Sequence, residues 1–116
     1  MAQIHAFLGP IVFVVVVLQV IWTGYRMLTG RSLPAERPLT GLYIGLLDLQ
    51  ALLGLILLAT VGAGRVSLIH PVLMLVAVID AHIGLVLSRR PGAPAALPFA
   101  FALSTAAIVA FAYPAP

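Results

Sequence analysis

The residues of this chain that could do chemistry are few, and they fall into two sets. His5 and His70 open the first and third of its long apolar runs, which travel in the same direction if the chain folds back and forth. Counted at about 1.5 Å per helical residue, both imidazoles then lie within a turn of one surface. Two histidines at matching depth on different helices can supply the two axial ligands of a haem b iron. Pro71 after His70 suits a helix start, where proline forfeits no hydrogen bond. The plainer alternative is a pair of interfacial histidines touching headgroups and water.

The second set is Asp48, Gln50, Asp80 and His82, with Arg26 near them. The same counting puts Asp48 and Asp80 about 12 Å inside the opposite surface, with His82 slightly shallower and Gln50 slightly deeper. Arg26 ends the first apolar run, and its long side chain can reach up towards Asp48. An ion pair of Arg26 with Asp48, beside a hydrogen-bonded or protonated Asp80, would serve to hold helices together. As a functional site, these residues could line a proton-accessible or quinone-headgroup pocket, with carboxylate and histidine taking protons from a quinol. His82 alone could also ligate a chlorophyll-type magnesium, although Val78 stands where such helices usually carry alanine.

The elements that must position these residues follow from composition. Of 116 residues, 63% are hydrophobic and 8% charged, with a mean hydropathy of +1.20. A soluble domain carries roughly 25% charged residues, so the sequence predicts an integral membrane protein and excludes a soluble enzyme or a nucleic-acid binder. There is no cysteine, hence no disulfide, thiolate catalyst or Cys-ligated metal. A span of the hydrocarbon core takes about 20 apolar residues. Four segments answer to that, at about 4–29, 40–61, 66–88 and 95–113. Their continuous apolar character argues for helices over a barrel. Short connections rich in glycine and proline make neighbours antiparallel, so the expected fold is all-α: one membrane domain, 1–116, a single four-helix transmembrane bundle.

The arginines orient it. Arg26, Arg31, Arg37, Arg89 and Arg90 fall at one end and Arg65 at the other, which places both termini outside the cytoplasm. Stripes at helical spacing should face the interior: His5, Gly9, Val12, Val16, Gln19, Thr23 and Arg26; Gly41, Gly45 and Asp48; His70, Met74, Ala77, Ala81, Gly84 and Ser88; Ala102, Ala106 and Ala110. Small residues there let helices approach closely.

With these residues in hand, the chain resembles a group of small bacterial four-helix membrane proteins described as cytochrome b-like. The resemblance rests on His5, on Gln50-Ala51-Leu52-Leu53-Gly54 in the second helix, and on His70-Pro71-Val72-Leu73-Met74 opening the third. It covers the first three helices and implies haem b held by His5 and His70 in the bacterial inner membrane. The function expected is that of an electron-transfer subunit of a respiratory or photosynthetic complex, linked to quinone, rather than a stand-alone enzyme. The alternative is an accessory subunit without cofactor that packs against a larger membrane complex, because the first and fourth helices are apolar over most of their circumference. A small proton-coupled transporter is a weaker fit, for want of discontinuous helices.

Overall fold

The computed structural model of the chain describes residues 2–31, 34, 36–61 and 68–112. They form four helices: α1 (Ala2–Thr29), α2 (Glu36–Val61), α3 (Ile69–Ser88) and α4 (Ala96–Ala112). Valine is prominent in α1, leucine in α2 and alanine in α4, and α1 runs through Val14-Val15-Val16-Val17 without a break. Gly30 ends α1 by adopting φ +70°, and its N–H closes on the Arg26 carbonyl at 2.8 Å. This is the left-handed cap that glycine takes at least cost.

α2 starts at Glu36, four residues before the expected position. Pro34 and Pro38 suggest a broken connection, but Pro38 is the third residue of α2. A proline in the first turn removes an N–H that would have no helical acceptor. α3 begins with Ile69, so His70 and Pro71 lie in its first turn as the sequence leads one to expect. Val66, where the third helix was expected to start, Arg65 of the second connection and Tyr113 fall outside the described residues.

α1, α2 and α3 are each long and apolar enough to cross a membrane, as Gln3–Thr29, Glu36–Thr60 and Ile69–Ser88. α4 has 17 residues, about 26 Å at helical rise, against a core of about 30 Å. Among the described residues, three of the four expected spans therefore meet the length criterion.

The helices pack in cyclic order, α1 against α2 and α4, and α3 against α2 and α4, so that α1 and α3 stand on a diagonal. The core is built from Val12, Val16 and Thr23 of α1, Tyr43 and Leu47 of α2, Met74, Ala77 and Ala81 of α3, and Ala102, Thr105 and Val109 of α4. The inward stripes expected on α1 and α3 are the ones observed. The one on α2 is not, and the one on α4 holds for Ala102 and Ala106 but not for Ala110. Gly41, Gly45 and Asp48 are exposed, and nothing lies within 4 Å of a Cβ built on either glycine. On α4, Ala110 is exposed and Thr105, Val109 and Ala112 are buried. The reason is angular: each four-residue step overshoots a full turn by about 40°, so two steps carry Ala110 about 80° away from Ala102.

Among the described glycines the closest helix approach is at Gly84, where a Cβ would stand 2.5 Å from Cβ of Phe101 on α4. Gly84→Ala should therefore destabilise the purified protein by about 1–3 kcal/mol, the usual cost of overpacking. Gly41→Ala and Gly45→Ala should leave its unfolding midpoint nearly unchanged. Unfolding curves of the three variants check this, and a larger loss at Gly41 than at Gly84 would reverse the assignment.

Candidate functional site

His5 and His70 meet across the diagonal. Their ring centroids are 6.2 Å apart and their planes cross at 89°. Each ring is held differently. The Nδ1 of His70 lies 2.6 Å from the carbonyl oxygen of Ala112, the last residue of α4. A carbonyl only accepts, so Nδ1 carries the proton of this bond, which leaves Nε2 as the nitrogen that could ligate. A histidine fixed through one nitrogen by a backbone carbonyl is the usual arrangement of a metal ligand. His5 is steadied from α2. Gln50 donates from Nε2 to the His5 carbonyl oxygen at 2.8 Å, and Gly54, one turn further on, lies under the His5 ring. A Cβ there would come within 3.3 Å of His5 Cε1, so the glycine leaves the ring its place.

Two polar atoms at this end have no partner. His5 Nδ1 and the Gln50 side-chain oxygen are buried and make no hydrogen bond. Leaving such a group unsatisfied typically costs about 1–3 kcal/mol. Two imidazole nitrogens each about 2 Å from one metal would also bring the ring centroids to about 6 Å apart. The separation, the fixed proton on His70 and the unpaired nitrogen on His5 thus fit a bis-histidine ligand pair such as haem iron requires. Groups of three or more metal-ligating side chains do not occur among the described residues.

The second expected set is not brought to one place. Arg26 pairs with Glu36, not with Asp48. Because α2 starts at Glu36, its first residue sits beside the last turn of α1, whereas Asp48 lies twelve residues, about 18 Å, further along. Asp48 accepts instead from His82 Nε2 at 2.8 Å, linking α2 to α3 with both side chains 46% exposed. Asp80 is hydrogen-bonded, as the structural reading expects: Thr105 and Ser104 of α4 donate to its Oδ2 at 2.7 and 2.9 Å. Gln50, expected deep beside the aspartates, belongs to the histidines. It is the fifteenth of 26 residues in α2, past the midpoint, and faces α1 while Asp48 faces α3.

Several participants were not singled out from the sequence. Glu36 and Ser104 look like solvent-facing polar residues, and Thr105 sits in a run of alanines. A spacing of three and four from Ala102 through Thr105 to Val109 was the available signal. At the arginine end, Trp22 donates from Nε1 to Gln19 Oε1 at 2.7 Å, and the Gln19 amide reaches Thr40 Oγ1 at 3.4 Å. These groups border a cavity of about 500 Å³ among all four helices. No histidine lines it.

Comparison of the chain with protein-family models, with curated proteins and with solved structures finds no match.

Thr105 is fully buried, and its bond to Asp80 is the shorter of the two that hold that carboxyl. Thr105→Val should lower unfolding free energy by about 1–3 kcal/mol through the lost bond. Ser104→Ala, at an exposed position, should cost clearly less. Equal losses in a denaturant series would show that Thr105 is not the residue that anchors Asp80.

Proposed function

We propose that this protein is a membrane-embedded, haem b-binding electron-transfer subunit of a larger respiratory or photosynthetic complex, in which His5 and His70 would hold the haem iron. The observation that carries the reading is the His5–His70 pair itself: 6.2 Å between rings, perpendicular planes, and His70 held through Nδ1 so that Nε2 is free to ligate. The unpartnered Nδ1 of His5 points the same way. Haem b, when bound, supplies a one-electron iron couple. The chain's own residues orient the two rings: Ala112 through its carbonyl, Gln50 through the His5 backbone, and Gly54 by leaving space.

The membrane part of the proposal rests on the surface. Large apolar side chains face outward along the helices, among them Phe7, Ile21, Leu52, Ile79 and Phe111. Lipid or partner helices would cover them. α4 would complete an antiparallel transmembrane bundle, and the gathering of Arg26, Arg31, Arg37, Arg89 and Arg90 at one end supports cytoplasmic placement of that end in a bacterial inner membrane. A link to quinone is supported by the Asp48–His82 pair. It is a hydrogen-bonded carboxylate and imidazole on the outer face of two apolar helices, where a membrane-soluble quinol arriving sideways could leave a proton.

The second reading, an accessory subunit without cofactor, is favoured by the same exposed face. Gly41, Gly45 and the Asp48–His82 pair make a surface on which a partner helix could pack closely and bury an otherwise costly polar pair.

One experiment separates the two. Oxidised and dithionite-reduced spectra of protein expressed with ample haem should show a Soret band and a sharp reduced α band typical of six-coordinate low-spin iron. His5→Ala and His70→Ala should each abolish the low-spin signature while the helical circular dichroism stays unchanged. Folded wild-type protein that carries no Soret absorption would remove the haem reading and leave the accessory one.

A further inference from the structure

We propose that the cavity at the arginine end binds the phosphate group of an anionic phospholipid. This inference is independent of the histidine pair at the other end. The cavity, of about 500 Å³, falls within the roughly 300–1,000 Å³ of small-ligand sites and is walled by all four helices.

Charge selects the ligand. Three arginines, Arg26, Arg37 and Arg89, are among the residues that line the cavity, with a single acidic one, Glu36. Arg26 is committed to Glu36. Arg37 and Arg89 have no ion-pair partner among the described residues, so two positive charges stand uncompensated at the cavity wall. Arg89 caps the C-terminal end of α3, where a helix dipole welcomes a cation. Arg37 is in the first turn of α2, where the dipole opposes one. A bound anion would offset that repulsion, and guanidinium forks match phosphate oxygens.

A hydroxyl supplies the independent observation. Ser88, which also lines the cavity, has a buried Oγ with no hydrogen-bond partner. A change of its side-chain rotamer would be needed to present that hydroxyl to a phosphate oxygen in the cavity. The rest of the wall mixes aromatic Trp22, Tyr43 and Phe101 with polar Gln19 and Thr40. A neutral quinone headgroup would leave both guanidiniums uncompensated. Basic pockets between helices on the arginine-rich side of membrane proteins bind lipid headgroups by this logic.

The test uses the full chain, purified and delipidated in neutral detergent, and titrated with phosphatidylglycerol, phosphatidylcholine or inorganic phosphate. Thermal midpoints and native mass spectrometry are the readouts. Phosphatidylglycerol should bind and raise the midpoint, and phosphatidylcholine should do neither. Arg37→Gln with Arg89→Gln should weaken phosphatidylglycerol binding roughly thirtyfold, and Arg37→Gln alone about fivefold should the pair fail to fold. Ser88→Ala should weaken it too. Arg31→Gln with Arg90→Gln removes the same charge from the same end but outside the cavity, and should leave binding as it was. Protection by inorganic phosphate equal to that by the lipid would support the anion site with a free phosphate as its occupant. Equal binding of the two lipids, or equal loss in the two double variants, would overturn the proposal. So would binding of a short-chain ubiquinone where phosphatidylglycerol fails.

Discussion

Each residue along an α-helix turns the side chain by about 100°, so two residues apart means nearly opposite faces. That rotation decides where the polar groups of this protein go. Asp48 and Gln50 are close in sequence yet serve different neighbours, Asp48 meeting His82 on α3 and Gln50 meeting the backbone of α1. Asp80 and His82 divide in the same way, the first bonded to α4 and the second to α2. A cluster by depth therefore becomes a set of separate pairs once the helices are given their rotations.

The cyclic packing order has a further effect on chemistry. α1 and α3 are not neighbours, so side chains from both can meet only across the centre of the array. They do so at one end through two imidazoles, one of them held by α4 and the other steadied by α2. All four helices thus contribute to the placement of two rings. At the opposite end the centre opens into a cavity instead, bordered by residues of all four helices. The two ends share a scaffold and differ in what occupies the axis.

Much of this was legible in the sequence, but unevenly. The stripes on α1 and α3 follow mixed steps of three and four, from Val12 through Val16, Gln19 and Thr23, and from His70 through Met74, Ala77, Ala81 and Gly84. Mixed steps stay on one face, so they report burial faithfully. On α4 the alanines at 102, 106 and 110 run in steps of four only and drift off the face, while Thr105 holds the buried position. On α2 the glycine pair reads as a packing motif, yet Tyr43, Leu47 and Gln50 are the buried residues there. A bulky residue facing inward and a glycine facing outward is an arrangement that composition does not reveal. The Arg26–Glu36 pair was hidden by a helix boundary: reading Pro38 as a breaker left Glu36 in the loop, too far from any helix to be given a partner.

The bond from His70 to Ala112 has a mechanical side. The acceptor is the carbonyl of the last residue of α4, so the rotation of that imidazole is set by the winding of the helix's terminal turn. That turn behaves as a latch. While it stays wound the ring is clamped in one tautomer, and when it frays the ring is free to spin and exchange its proton. Whatever steadies that last turn of α4 therefore has a grip on a side chain of α3 that it never touches.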